Sequence, residues 1–331
     1  MKLAIVGATG LVGCEILQVL SELNIPISEL ILVASQKSVG KEIQWQNQTI
    51  PIVSIETAFT QKPDFAIFSA GSAVSLEYAE KFAAIGTTVI DNSSAWRMSS
   101  NIPLIVPEIN GTQIGQSKII ANPNCSTIQL VMVLYPILQV SNIKRVIVST
   151  YQAVTGTGKV AVDQLTQERA SEKTSQPAYP YPIDLNCIPQ CDIFLENGYT
   201  REETKIIQES RKILNHPNLA ITATAVRVPV VGGHSESVNI SLEKPISIDN
   251  LRAALENFPG VVVYDNPQEK KYPMPIMAHQ KNDVFVGRIR IDESEPNTFN
   301  LWIVADNLRK GAATNAVQIL QSIIAMPYAI N

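Results

Sequence analysis

The chain has 331 residues, 45% hydrophobic and 17% charged, which is enough for two domains with a large buried core and too apolar for a disordered polypeptide. Its net charge of −4 and pI near 5.5 give no global attraction to nucleic acid, although they leave room for a local basic pocket that takes an anion. No run reaches the roughly 18 apolar residues of a membrane helix, and the opening MKLAIVGATG runs into a glycine turn without the features of a secretion signal, so the expectation is a cytoplasmic protein with neither membrane nor nucleic acid as partner.

Residues 2–6, KLAIV, read as a short buried strand. GATGLVG follows at once, then EILQVLSEL at helical spacing. Strand, glycine turn and helix form the opening unit of a nucleotide-binding α/β fold. Gly7 permits the tight turn, Gly10 lets the backbone approach a pyrophosphate, and Gly13 lets the helix approach the sheet. LILVAS, residues 30–35, is the second strand. An NAD site usually offers a carboxylate just beyond that strand. Here ASQKSVGK has no acid between Ala34 and Lys41, and Lys37 with Ser35 and Ser38 suits a 2′-phosphate, which favours NADP. FAIFSAG (65–71), TTVIDNSS (87–94) and PLIVPEIN (103–110) read as three more strands. Their apolar runs lack alternation, which predicts a parallel sheet covered on both faces.

After Cys125 the pattern changes. STIQLVMVLYPIL is a predicted helix with Ser126 or Thr127 near its N-cap. KRVIVSTYQAV, 144–154, is a strand running into TGTG, and the proline-bearing stretch 171–190 is expected to wander over the surface. REETKIIQESRKIL, 201–214, is a charged amphipathic helix. ITATAVRVPV, ESVNISLEK, FVGRIRIDE and FNLWIVADN read as strands of a mixed or antiparallel sheet, and AATNAVQILQSIIA as a helix that packs back on the first domain. The fold class is α/β. A Rossmann-like dinucleotide-binding domain, 1–124, is completed by a C-terminal helix at about 308–331, and an α+β domain of mixed sheet spans 125–307.

The four cysteines, Cys14, Cys125, Cys187 and Cys191, do not suggest a disulfide framework in a chain this large without a secretion signal. Cys187 and Cys191 have the spacing of a metal half-site, but no second pair follows, and no metal is expected. Cys125 leaves three roles open: packed core, metal ligand or nucleophile. The turn Asn-Pro-Asn precedes it and a helix start follows, so its thiol feels unpaired backbone N–H groups that favour thiolate and can hold an oxyanion. A thiolate beside a nicotinamide has one well-known use: attack on an acyl carbon or aldehyde, with hydride passing to or from the cofactor. Of the histidines, His234 in the glycine break VGGHSES suits the acid–base partner better than His216 or His279. Arg227, inside the apolar TAVRVPV, suits a substrate carboxylate, and Arg97 sits in SSAWRM. Glu202 and Lys205, three apart on one helix, read by themselves as a surface ion pair.

GATGLVG, FSAGSAVS, VIDNSSAWR, PLIVPEIN, NPNCSTIQL, IVSTYQAVTGTG, RVPVVGGHSES and DNLRKGAA together resemble the bacterial form of the aspartate-semialdehyde dehydrogenase family over nearly the full length. The resemblance implies reduction of L-aspartyl 4-phosphate by NADPH to L-aspartate 4-semialdehyde and phosphate. That step opens the route to lysine, threonine, methionine and, in many bacteria, diaminopimelate. It implies Cys125 as nucleophile, Gln152 as the residue that orients intermediates, and His234 as the acid–base group. Arg97 and Lys205 would bind the phosphate, with Asn124 lining that site, Glu202 the substrate ammonium and Arg227 the α-carboxylate. To the cofactor contacts of Gly7, Gly10, Gly13, Ser35, Lys37 and Ser38 it adds Thr9, Leu11, Val12, Ser69, Ala70, Gly71 and Asn307. It further implies that the second domain is both catalytic and dimer-forming, in homodimers or homotetramers of such dimers.

Overall fold

The computed structural model describes residues 1–174 and 176–325. The chain divides into two units, one made of Met1–Asn124 and the chain from Ala312 onward, the other of Cys125–Gly311.

The first unit is built on seven strands: β1 (Lys2–Val6), β2 (Glu29–Val33), β3 (Glu42–Trp45), β4 (Gln48–Val53), β5 (Phe65–Phe68), β6 (Thr88–Asp91) and β7 (Ile119–Ala121). Their order is β3-β4-β2-β1-β5-β6-β7, and every pairing is parallel except the β3–β4 hairpin. The central strands bury both faces, as their unbroken apolar runs require. On one side Leu3, Ile5 and Ile67 meet Ile16 and Leu20 of the helix Leu11–Glu22 and Ile319 and Leu320 of the helix Thr314–Ala325. On the other, Ala4, Ala66 and Phe68 meet Ala79 and Phe82 of the helix Ser72–Ala84.

Three sequence expectations change here. PLIVPEIN is not a strand: Leu104 makes one isolated bridge to Ala121, and Pro107 opens the short helix Pro107–Asn110. Proline has no N–H to give a ladder, while its fixed φ suits the first helical position. The edge strand is β7 instead. The β3–β4 hairpin, absent from the sequence reading, buries Trp45 and Ile50. The C-terminal helix begins at Thr314 after a wide turn at Arg309–Ala313, and the expected tail 326–331 lies outside the described residues.

The second unit holds six strands: β8 (Ile143–Gln152), β9 (Ala220–Arg227), β10 (His234–Leu242), β11 (Val261–Val263), β12 (Val284–Ile291) and β13 (Thr298–Ala305). Their order is β11-β12-β13-β10-β8-β9. The sheet is mixed, since β8–β9 and β11–β12 run parallel and the other neighbours antiparallel. Alternation sorts β8 into a buried face with Val146, Val148, Thr150 and Gln152, and an open face with Ile147 and Tyr151. The helix Cys125–Leu138 packs on this sheet and on the helix Arg201–Ile213. It begins one residue earlier than the sequence suggested, so Cys125 is its first residue and Ser126 and Thr127 lie within its first turn. The stretch 171–190 is less superficial than expected: Tyr179, Ile183 and Ile188 pack with Val154, Ala161 and Leu165 in a small cluster of their own.

The chain crosses from one unit to the other at two points, and the crossings are tied. In the first unit Asn122 donates to the Ala312 carbonyl at 3.2 Å and accepts from Asn315 at 2.6 Å. In the second, a methyl placed on Gly311 would lie 2.9 Å from Cys125 Cβ. Among the described residues no helix is long and apolar enough to cross a membrane.

Candidate active site

In the first unit the glycine turn leaves β1 with Gly7 at φ 96°, a conformation glycine adopts without strain. A side chain there would strike the Ser69 carbonyl at 2.5 Å. Gly10, the N-cap of the helix Leu11–Glu22, is bare for a different reason. It makes no side-chain cap, and an added Cβ would meet only the Gly7 carbonyl, at an ordinary 3.4 Å. Among the described residues nothing demands glycine at that point. The space a Cβ would take belongs to a cavity of about 500 Å³ lined by Gly7, Thr9, Gly10, Ser35, Ser69 and Ala70. Open backbone N–H groups at a helix start, facing a cavity beside β1 and β2, fit a dinucleotide pyrophosphate.

The same cavity departs from the sequence reading at its far end. Lys37 and Ser38 are not among its lining residues, whereas Gln36, Ser54, Glu56 and Tyr78 are. The register explains this. β4 runs parallel beside β2, with Val33 opposite Val53, so Ser54–Glu56 emerge alongside Ala34–Gln36. Glu56 accepts from the Tyr78 hydroxyl at 2.8 Å, and hydrogen bonds, that of Ser54 first, hold its carboxyl below the usual range. A carboxylate is therefore present, on the short helix Ile55–Thr60 that follows β4, a strand the sequence reading lacked. Leu11, Val12, Gly13 and Gly71 flank this region in the first turns of the helices Leu11–Glu22 and Ser72–Ala84.

Arg97 is buried in the first unit and held by main chain: its Nε donates to the Asn122 carbonyl at 2.9 Å and Nη2 to Asn92 at 2.8 Å. Asp91, at the end of β6, braces the same loop through Ser93, with Oδ2 accepting from the Ser93 hydroxyl at 2.7 Å. Burial pushes the Asp91 carboxyl up, against the pull of Ser93 and of the Arg97 charge. Asn124, also buried, ends the unit.

In the second unit three expected residues form a row. Gln152 ends β8 and Arg227 ends β9, paired directly across the parallel ladder. His234 opens β10, one step beyond the Ser235–Tyr151 pair and so beside Gln152. All three point to the buried face. The backbone of one residue clamps two of them. Ala153 N–H donates to His234 Nδ1 at 3.0 Å, and the Ala153 carbonyl accepts from Arg227 Nη1 at 2.6 Å. Because an N–H can only donate, Nδ1 keeps its lone pair and the neutral ring carries its hydrogen on Nε2. That Nε2 is buried and makes no hydrogen bond among the described residues. Burial, then the neighbouring Arg227 charge, drives the ring well below the ordinary histidine range, so it is neutral at pH 7. Gly156 lies against the row, where an added Cβ would sit 2.8 Å from Arg227 Nη1 and 3.2 Å from His234 Nε2.

The Gln152 amide joins the row to the helix that Cys125 opens. Its Nε2 donates to the Ser126 hydroxyl, the residue after Cys125, at 3.0 Å and to Glu202 at 3.3 Å. Glu202 in turn receives Lys205 at 3.4 Å, and Lys205 reaches Asp192 at 2.8 Å. Glu202 is buried, so the pair is not the surface salt bridge that its spacing alone suggested. Asn307 is buried too, its Oδ1 accepting from the Thr155 hydroxyl at 3.1 Å. His279 is engaged elsewhere, at 3.0 Å from Asp306. None of the four cysteines is in a disulfide, and burial pushes the Cys191 thiol up to about 12. Among the described residues no group of three or more His, Cys, Asp or Glu could hold a metal. Ala153, Gly156, Gly311 and Asp192 were not singled out by the sequence reading; Gly156 and Gly311 stood in quoted stretches, but their role depends on which distant side chain rests on them.

A thiol at a helix start, a neutral imidazole N–H, and buried arginine and carboxylate groups can together hold an acyl phosphate and form a thioester. Known proteins agree with that reading. Residues 2–117 match the family model described as semialdehyde dehydrogenase, NAD binding domain, and residues 134–310 match semialdehyde dehydrogenase, dimerisation domain. The aspartate-semialdehyde dehydrogenase of Aquifex aeolicus is 49% identical over 98% of both chains, and that of Legionella pneumophila 48% over 97% of this chain and 95% of its own. The crystal structure of aspartate semialdehyde dehydrogenase II from Vibrio cholerae superposes with a TM-score of 0.94 at 40% identity, covering 99% of each chain, and that enzyme is also solved complexed with ASA. Built from the same two parts in the same order, and related along its whole length, this chain belongs to the aspartate-semialdehyde dehydrogenase family.

Proposed function

We infer that this protein is an NADP-dependent aspartate-semialdehyde dehydrogenase, which turns L-aspartyl 4-phosphate and NADPH into L-aspartate 4-semialdehyde, phosphate and NADP. Membership of the family over the whole chain supports the reaction. The observation that carries the residue roles is the Gln152 amide, hydrogen-bonded at once to the residue after Cys125 and to Glu202.

In this reading the Cys125 thiolate attacks the acyl carbon, and the C–O bond to phosphate breaks as the thioester forms. NADPH, when bound, supplies the hydride that reduces the thioester carbon; Gly7, Thr9, Gly10, Ser69 and Ala70 would hold it. The resulting thiohemiacetal collapses to aldehyde and thiolate. His234 donates its Nε2 hydrogen bond to the oxygen that gains charge, a role that suits a ring kept neutral by burial and Arg227. This narrows the acid–base expectation, because Nε2 already carries its hydrogen and the imidazolium is disfavoured. Gln152 orients the acyl group. Arg227 takes the α-carboxylate, Glu202 the ammonium, and Arg97, Asn124 and Lys205 the phosphate. Those charges complement the substrate group by group.

A second copy of the chain is the proposed partner, in a homodimer. The open face of the second unit's sheet offers it Ile147 and Tyr151, the latter with its ring 5.3 Å from that of Trp302. The cytoplasm is the proposed compartment, which four cysteines outside any disulfide suit. The test is phosphate-dependent oxidation of aspartate semialdehyde, followed as NADPH, beside the same assay with N-acetylglutamate semialdehyde. Turnover of the first and not the second is expected. The reverse would move the chain to the N-acylated substrate, for which Glu202 has no ammonium to meet.

A further inference from the structure

The stretch 187–193 belongs to no strand or helix, and none of the roles above uses it. It is nevertheless fixed at two points to residues assigned to the substrate. Ile188 exchanges both main-chain hydrogen bonds with Arg227, its N–H reaching the Arg227 carbonyl at 2.9 Å and its carbonyl accepting at 2.8 Å. Four residues on, Asp192 Oδ2 accepts from Lys205 Nζ at 2.8 Å, closer than Glu202 at 3.4 Å.

Asp192 is held in place for that contact. Its backbone is left-handed, φ 67°, a region that aspartate tolerates better than bulkier residues. Its Oδ1 accepts from the Ile193 N–H at 2.9 Å, and Arg201 stands 3.9 Å away. Burial alone would raise its carboxyl, but the Lys205 hydrogen bond and the Lys205 and Arg201 charges outweigh it, so the group is firmly anionic at neutral pH. From there the polar contacts run inward without a gap: Asp192, Lys205, Glu202, Gln152, Ser126. Cys191, beside Asp192, is a buried thiol and adds no charge.

We propose that Asp192 is a positioning residue for phosphate: it fixes the Lys205 ammonium at the place where the phosphate group is met. The proposal rests on the assignment of Lys205 to phosphate. An aspartate that merely closed a surface ion pair would leave ligand constants alone, and one that competed with phosphate for Lys205 would, on removal, lower the KM for phosphate.

The experiment measures kcat and KM in phosphate-dependent semialdehyde oxidation for Asp192→Asn, Asp192→Glu, Lys205→Met and the Asp192→Asn/Lys205→Met double variant, with Tm by calorimetry. Asp192→Asn keeps the size of the side chain and should raise the KM for phosphate about 5-fold, near the upper end for a partly exposed ion pair. The KM for NADP and the Tm should stay at wild-type values, and Asp192→Glu should recover part of the loss. Added to Lys205→Met, Asp192→Asn should change nothing further, since its effect runs through the lysine. An unchanged or lowered phosphate KM in Asp192→Asn overturns the proposal, as does an equal rise on top of Lys205→Met or a loss shared with NADP and Tm. If Lys205→Met itself leaves the phosphate KM unchanged, the lysine assignment fails and takes the proposal with it. That result is distinct from an inert Asp192→Asn beside a damaged Lys205→Met.

Discussion

One methyl group, at position 156, tests the row of site residues. Gly156 closes the short turn Val154–Gly156 and is not among the positive-φ glycines, so alanine there brings no backbone strain. The methyl would instead stand 2.8 Å from Arg227 Nη1 and 3.2 Å from His234 Cε1 and Nε2. Ordinary contacts begin near 3.5 Å, so the guanidinium must retreat by about 0.7 Å and the ring by about 0.3 Å. Neither moves freely. Nη1 is held by the Ala153 carbonyl at 2.6 Å and the ring by the Ala153 N–H at 3.0 Å. A misplacement approaching 1 Å costs on the order of 10²-fold in rate. Gly156→Ala should therefore lower kcat/KM for semialdehyde oxidation by roughly 30- to 100-fold, about 2–3 kcal/mol of transition-state stabilisation. The Kd for NADP, read by fluorescence titration, should hold, because the glycine-turn cavity lies in the other unit, and the Tm should fall by no more than the few degrees that such overpacking costs. A folded Gly156→Ala enzyme within 2-fold of wild type would refute the clamp, since it would mean that Arg227 and His234 can give way without loss.

Four further outcomes are expected. Cys125→Ala should abolish semialdehyde formation and leave NADP binding nearly intact; substantial turnover by the purified variant would rule out a covalent route. Since His234 titrates well below 6.5, kcat/KM should show no acid limb at 6.5 of its making, and such a limb, if His234→Asn removed it, would contradict the neutral donor. Glu236 is fully buried, and burial raises its carboxyl well above 4.5, with Gln129 opposing. Its contribution to stability is full below 4.5 and is lost as pH rises through the raised value, so Glu236→Gln should gain over wild type in urea melts at neutral and alkaline pH, and a gain confined to acid would reverse the sign. At the cofactor cavity, Glu56→Gln should tighten NADP more than NAD in direct binding, because it removes a carboxylate from the cavity wall where a 2′-phosphate would be repelled; an equal change for both would contradict that placement.

Sequence made the framework legible where one residue type serves one purpose. Unbroken apolar runs pointed to the parallel strands, and a histidine in a glycine break and an arginine in an apolar strand drew notice to His234 and Arg227, which the fold buries side by side on one clamp. What escaped depends on main chain or on distant register. Ala153 clamps two site residues with its peptide groups, which any residue except proline would offer, so its identity carries no signal. Glu56 enters the cavity only because β4 lies beside β2, and the β3–β4 hairpin that brings it there was not recognised. PLIVPEIN read as a strand from its apolar content, but its second proline starts a helix. The stretch 171–190 looked superficial from its prolines, yet the isoleucines between them are buried.

The tied crossings bear on how the chain folds. The first unit is interrupted between Asn124 and Ala312 by all of the second. Closing an unstructured loop of roughly 190 residues would cost on the order of 4–5 kcal/mol of chain entropy before the helix Thr314–Ala325 could dock beside the glycine-turn helix. Once the second unit has formed, Cys125 and Gly311 already touch, so the helix is delivered to its neighbours through a few residues of effective loop. The last-made helix of the dinucleotide core is thus brought in by the unit that carries the thiol. A fragment ending at Asn124 should lack Ile319 and Leu320 from its core and stay unfolded, however complete its glycine turn.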